Sequence, residues 1–222
     1  MIATLFASSA APWPLRAGVV HVWRFANDQA ADAAWLSPDE AAQAARFATR
    51  VHRDAYVVQH AMVRALLARY LELEPGAVAF ERGTHGKPHV AGLWHNLAHA
   101  EDVALLAVAL DVELGVDLER YDAAIDPEQL ARLVLAPAEA HCVERRAFLR
   151  VWCRKEACLK ATGVGLLDDL TSIAVLDDVV TLDGTTVHVQ DLALDTDHAA
   201  ALATSQPCDA IRGPLEDYFV KS

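Results

Sequence analysis

The chain has 222 residues, 54% apolar and 23% charged, which excludes disorder and allows one large domain or two small ones, each with a buried core. No apolar run reaches bilayer length, and no basic start followed by an apolar run marks a signal peptide. The 31 acidic and 19 basic residues leave a net charge of −12, which argues against a nucleic-acid coat or a lipid-surface anchor.

The charge is uneven: residues 1–40 carry −2, 41–100 carry +3, 101–170 carry −6 and 171–222 carry −7. The positive stretch also holds six of the ten histidines: His52, His60, His85, His89, His95 and His99. Cys142, Cys153, Cys158 and Cys208 form no C-x-x-C pair, as expected in a reducing cytoplasm, and the first three read as small core residues rather than nucleophiles.

In chain order, Val19–Arg24 reads as a strand, rich in β-branched residues. Ser37-Pro38-Asp39-Glu40 predicts a helix start with a capping box, and the chain breaks and restarts around Val51–Arg53. From Asp54 apolar residues recur at helical spacing up to Pro75-Gly76. Short strands are predicted at Ala77–Glu81 and Trp94–Ala98, with the loop Gly83–Pro88 between them. Val103–Leu110 has the pattern of a strand covered on both faces, and Leu114–Glu119 is expected as its hairpin partner. Asp126 caps a short helix to about Leu135, Ala136-Pro137 starts another, and a longer one covers about Arg146–Thr162, ending at Gly163. Asp183-Gly184 marks a hairpin turn. Helices mixed with largely antiparallel strands give an α+β fold.

Two segments carry chemistry. In Gly115-Val116-Asp117-Leu118-Glu119, a strand would point Asp117 and Glu119 to one face and Val116 and Leu118 to the core. Paired carboxylates repel unless a cation intervenes, and Mg²⁺ suits such a pair; alone, the pattern reads equally as an exposed strand end with solvated acids. In Trp152-Cys153-Arg154-Lys155-Glu156-Ala157-Cys158-Leu159-Lys160, a helix puts Trp152, Glu156 and Lys160 on one face, and alone this is a surface Glu–Lys pair. The combination, with 37 positions from Glu119 to Glu156, is far more specific than either half.

With these two segments and Gly163-Val164-Gly165-Leu166 behind them, the chain resembles the Sfp-type 4′-phosphopantetheinyl transferases. Weaker matches are Arg46-Phe47, His52-Arg53, Gly86-Lys87-Pro88 and His95-Asn96-Leu97-Ala98-His99-Ala100, so the likeness spans roughly Ser37 to Val175. It implies a magnesium-dependent enzyme of the holo-[acyl-carrier-protein] synthase type. Such an enzyme moves the phosphopantetheine of coenzyme A to a serine of an apo acyl, polyketide or peptidyl carrier protein and releases 3′,5′-ADP. The resemblance makes Asp117, Glu119 and Glu156 metal ligands, Glu156 and Lys160 catalytic, and Arg46, Arg53, Lys87, Pro88, His99 and Lys160 contacts to the coenzyme. It also implies a pseudo-twofold pair of similar α+β halves, 1–110 and 111–222, with the active site in the cleft between them. The expected protein is a cytoplasmic monomer that meets its carrier transiently and binds neither nucleic acid nor membrane.

Two departures concern the nucleotide end. The family usually has serine where Ala98 stands, and lysines ahead of the Arg-Phe pair where Glu40, Ala41, Ala42 and Gln43 stand. Arg46 and Arg50 are candidates to compensate. Carrier docking is expected on Tyr121–Leu135, through Arg120, Arg132 and the apolar Ile125, Leu130 and Leu133. Competing readings are a metal-dependent nucleotide pyrophosphate hydrolase and a non-catalytic module that binds coenzyme A or a carrier. Zinc at His95 and His99 is disfavoured, because four-residue spacing suits a helix and the segment reads as extended.

Overall fold

The structure is a computed structural model, described over residues 15–82, 88–163 and 169–214. Its strands are β1 (Val19–Ala26), β2 (Glu81–Arg82), β3 (Pro88–His89), β4 (Trp94–His99), β5 (Val103–Ala109), β6 (Leu114–Arg120), β7 (Val179–Leu182), β8 (Thr185–Asp191), β9 (His198–Thr204) and β10 (Asp209–Pro214). The helices are α1 (Pro38–Ala44), α2 (Arg50–Leu71), α3 (Pro127–Val134) and α4 (Arg145–Thr162). Two four-stranded sheets, ordered β10-β1-β5-β4 and β6-β9-β8-β7, make the fold α+β as expected.

The two sheets repeat one connectivity. In the first, β1 is followed by the long helix α2 and then the hairpin β4–β5, whose second strand pairs antiparallel with β1. In the second, β6 is followed by α4 and then the hairpin β8–β9, whose second strand pairs antiparallel with β6. β10 then returns to lie parallel to β1, so residues 209–214 complete the sheet begun near the other end of the chain.

Alternation along the strands builds the layers. In β5, Ala104, Leu106 and Val108 join a core with α2, while Val103, Leu105, Ala107 and Ala109 join one shared with Leu114, Val116, Leu118, Ala200 and Leu202 of the second sheet. β5 is therefore buried on both faces, as its unbroken apolar pattern predicts. On the far side of the second sheet, Ala199, Ala201 and Ala203 of β9 pack against α4. The layer order is α2, first sheet, second sheet, α4.

Local signals account for most boundaries. Ser37 and Glu40 form the expected capping box on α1. The chain breaks at 46–49, slightly earlier than predicted, and Thr49 caps α2 through the amide of His52. Gly163 ends α4 at φ 68, and Asp183 and Gly184 take φ 47 and 76 in the β7–β8 turn.

Three expectations need correction. β6 is not the hairpin partner of β5, because β1 and β4 already occupy both edges of β5 and the chain crosses to the other sheet after Ala109. Ala77–Glu81 is not a strand: Pro75–Ala77 is a 3-10 turn, and only Glu81–Arg82 pairs, with Pro88–His89. Ala136-Pro137 likewise starts a single 3-10 turn, Pro137–Glu139, rather than a longer helix.

Candidate active site

The GVDLE segment is strand β6, an edge strand lying against α4. Val116 and Leu118 face the inter-sheet core, so Gly115, Asp117 and Glu119 share the face towards the helix. Gly115 makes that approach possible. A Cβ there would stand 2.2 Å from the Ala157 carbonyl oxygen and 2.4 Å from the Ala161 amide nitrogen, both backbone atoms. Glycine at this position is what lets the strand's carboxylates reach the middle of α4.

Asp117 is only 6% exposed, which overturns the alternative of solvated acids at a strand end. Its Oδ1 accepts a hydrogen bond from Lys160 Nζ at 2.6 Å, and the same ammonium lies 3.3 Å from the Val116 carbonyl. Its Oδ2 is buried and accepts no hydrogen bond among the described residues. Burial raises the Asp117 pKa, against the pull of the Lys160 charge and the Cys153 thiol.

Glu119 and Glu156 are half-buried and belong to the same electrostatic cluster. Burial and the Asp117 charge push Glu119 up to about 7, with Glu156 adding to the shift and Lys160 opposing it. Glu156 shifts upward for the same reasons, burial first and Asp117 second. Burial is the first cause of the upward shift in all three carboxylates, and Lys160 opposes it in each. As placed, no three His, Cys, Asp or Glu side chains among the described residues converge closely enough to enclose an ion. The donor set nonetheless fits a hard divalent cation: oxygen ligands only, an excess of negative charge, and one buried carboxylate oxygen without a donor.

The first sheet delivers His99 at the end of β4. It stays exposed, yet enough protein surrounds it that desolvation lowers its pKa; Lys160 and His60 lower it further, and Asp117 opposes them. His99 therefore senses the same Lys160 and Asp117 that occupy the β6–α4 face. Asn96 fixes the neighbouring edge, its Oδ1 accepting the amide of Val116 at 2.8 Å. Asp102, in the β4–β5 turn, takes Arg120 of β6 at 3.1 Å and His198 of β9 at 3.3 Å, tying the two sheets together beside the site.

The remaining expected residues are placed differently. Arg53 sits in the first turn of α2, exposed and bonded to Asp54 at 2.9 and 3.0 Å. Arg46 and Arg50 are exposed as well, bonded to Gln43 and Asp54 respectively. Pro88 is exposed at the start of β3, and Lys87 lies outside the described residues, as does Val164-Gly165-Leu166. Arg120 is engaged by Asp102 and Asp122 rather than presented to a partner. On α3, Leu130 packs against the core while Leu133 is 66% exposed.

Sequence reasoning missed Lys155, the motif lysine next to Glu156. It points away from the carboxylates into the core and bonds Glu139 at 2.7 Å, together with the carbonyls of Val134 and Leu170. Glu139 also accepts the amides of Ala136 and Val175. Lys155 thereby fixes α3 and the segment following α4 onto α4 itself. The sequence signal nearest to this arrangement is Ala136-Pro137, which starts the 3-10 turn that carries Glu139.

The family model of the 4′-phosphopantetheinyl transferase superfamily matches residues 113–203, from just before β6 to β9. The chain is 37% identical over 165 residues to the 4′-phosphopantetheinyl transferase HetI of Nostoc sp., covering 66% of this chain and 70% of that protein. It is 28% identical over 199 residues to the putative 4′-phosphopantetheinyl transferase slr0495 of Synechocystis sp., covering 84% and 78%. It is 26% identical over 194 residues to the 4′-phosphopantetheinyl transferase psf-1 of Bacillus pumilus, covering 79% and 82%. With its carboxylates and lysine gathered where strand β6 meets helix α4, inside the matched segment, the chain belongs to the 4′-phosphopantetheinyl transferase superfamily.

Proposed function

We propose that the chain transfers the 4′-phosphopantetheine arm of coenzyme A to a serine hydroxyl of an apo carrier protein, with release of 3′,5′-ADP. Membership of the family supports the transferase activity and coenzyme A as its donor. The observation that carries the site assignment is Asp117 bonded to Lys160 at the β6–α4 contact, with Glu119 and Glu156 near enough for the Asp117 charge to act on both.

In this reading Asp117, Glu119 and Glu156 hold Mg²⁺, which when bound supplies positive charge against the pyrophosphate. Phosphoryl transfer asks the protein mainly for positioning and charge neutralisation. Lys160 stands beside Asp117 and supplies a fixed cation to the pyrophosphate oxygens. Glu156 accepts the serine proton, a role suited to a carboxyl whose pKa is raised by burial and by Asp117. Arg53, Arg46, Lys87, Pro88 and His99 serve the nucleotide end, so residues 1–110 meet the coenzyme's phosphates and residues 111–222 carry the metal and the proton acceptor. Arg132 and Leu133, both on α3, are the docking candidates for an acidic, partly apolar carrier surface, with Arg120 withdrawn by its partners. The protein acts as a cytoplasmic monomer; no described helix is long and apolar enough to cross a membrane.

The test is incubation with coenzyme A, Mg²⁺ and a panel of apo acyl, polyketide and peptidyl carriers, read by mass spectrometry of the carrier. Added phosphopantetheine on a carrier serine is the expected result. Nucleotide release without a carrier would favour the pyrophosphate hydrolase instead.

A further inference from the structure

At Val116 an edge strand of one sheet meets an edge strand of the other. β6 pairs with β9 along one edge, and β4, the last strand of the first sheet, lies beside its open edge. Both outward backbone groups of Val116 are met there by side chains. The amide donates to Asn96 Oδ1 of β4 at 2.8 Å, and the carbonyl accepts from Lys160 Nζ of α4 at 3.3 Å. In an antiparallel strand the N–H and C=O of one residue point to the same edge, so the two bonds lie side by side. A backbone N–H can only donate, so Asn96 presents its oxygen and its amide group has one orientation.

Asn96 stands on a firm platform. It lies in the middle of β4, in register with Ala107 of β5. The turn after β4 is bound by Asn27, whose Nδ2 donates to the carbonyls of Ala100 and Glu101 at 2.8 and 3.2 Å. The backbone amide of Asn27 donates to the Asp102 carbonyl at 2.9 Å. Gln59 of α2 donates in turn to Asn27 Oδ1 at 3.1 Å, and both side chains are buried. A buried network of partnered amides rigidifies what it holds, so β4 is fixed to β1 and α2.

Lys160 depends on β6 for its position. Its ammonium is held by two acceptors of that strand, the Val116 carbonyl and Asp117 Oδ1 at 2.6 Å. A lysine stem has many rotamers, so its charge is placed only as well as those acceptors are. The Val116 side chain is buried between the sheets, but the peptide before it follows Gly115, which has no side chain to resist rotation. Asn96 bonds that peptide, and Lys160 bonds the next.

We propose that Asn96 is a positioning residue for the transfer reaction: by holding the Val116 amide from β4, it sets the carbonyl and the carboxylate against which Lys160 is placed. The inference rests on the transferase reading above, in which Lys160 meets the pyrophosphate. In this role Asn96 acts through Lys160 and touches no reacting atom.

The experiment compares the full chain with Asn96→Ala, Asn96→Asp, Lys160→Met and the double variant Asn96→Ala with Lys160→Met, using coenzyme A and a saturating apo carrier. Asn96→Ala is expected to lower kcat about tenfold, with KM for coenzyme A within about twofold. Asn96→Asp keeps the acceptor and is expected to stay within about threefold of wild type. In the Lys160→Met background, Asn96→Ala should lower kcat by less than about twofold further, because the group it places is gone. An unchanged kcat in Asn96→Ala, or a tenfold loss in both backgrounds, overturns the role of Asn96. Amide exchange followed by NMR tests the bond in the wild-type chain, however the variants fold. The Val116 amide is expected to be protected although it faces an edge without a pairing strand, and exchange as fast as at an open edge overturns the proposal. A wild type that protects Val116 but modifies no carrier overturns the transferase reading instead.

Discussion

Lys160 Nζ lies 2.6 Å from Asp117 Oδ1, and the Lys160 backbone is itself among the atoms of α4 that Gly115 lets β6 approach. The charge pair and the glycine act together: without the close approach the ammonium could not reach a carboxylate 43 residues away in sequence. The site is thus built at a strand–helix contact rather than on a loop, which gives its carboxylates little freedom to separate.

Removing the site's acids should cost activity without costing the fold. Asp117→Ala and Glu156→Ala are each expected to reduce transfer by about 10²-fold or more. Because burial disfavours both carboxylates, their melting temperatures should match or exceed wild type. Transfer rates with far-ultraviolet circular dichroism check both halves of the expectation. Full activity in Glu156→Ala would remove both roles assigned to that residue.

Gly115→Ala should behave differently. The added Cβ meets backbone atoms that cannot move without shifting α4, so destabilisation of about 1–3 kcal/mol or more is expected. Denaturant unfolding measures it, and activity should fall in parallel because the strand must back away from Lys160.

Stability of the metal-free protein should depend on pH in a defined direction. The Glu119 pKa rises from 4.5 to about 7 on folding, so between these values the folded chain binds more protons than the unfolded one. This group's contribution is best below 4.5 and is lost as pH rises through about 7. Asp117 and Glu156 shift the same way. Mg²⁺ favours the ionised carboxylates, so the rise in melting temperature on adding Mg²⁺ to a chelator-treated sample should be larger at about pH 8 than at about pH 5. An equal rise at both would contradict the assignment of these acids to the metal.

Lys155 should prove structural. Its side chain and that of Glu139 are 1% and 0% exposed, and Lys155→Met leaves a buried carboxylate without its cation, at a cost of about 3–5 kcal/mol. Changing both residues, Lys155→Met with Glu139→Gln, is expected to recover part of that loss, since the amide oxygen can still accept one of the backbone N–H groups that Glu139 binds. Thermal unfolding of the three variants separates the terms.

Local chemistry made much of this legible beforehand. The Ser37 capping box, the Gly163 helix end and the Asp183-Gly184 turn each depend on a few adjacent residues, and each stands where the sequence puts it. The shared face of Asp117 and Glu119 follows from strand periodicity alone. What sequence could not supply is pairing over distance: β6 pairs with β9, about eighty residues on, and β10 with β1 from near the opposite end. Nor does a lone histidine or glutamate announce its partners. Glu40 read as a capping-box residue standing where the family usually has lysine, with no sign of its bonds to Arg64 and His60, and Lys155 read as part of the charged motif although it faces the core.

The most direct test of the account is the mass of an apo carrier protein after incubation with the chain, coenzyme A and Mg²⁺, with Asp117→Ala run alongside. The account predicts phosphopantetheine on a carrier serine with the wild-type chain and addition slowed by about 10²-fold or more with the variant. No added mass on any carrier of the panel, or equal modification by Asp117→Ala, would contradict it.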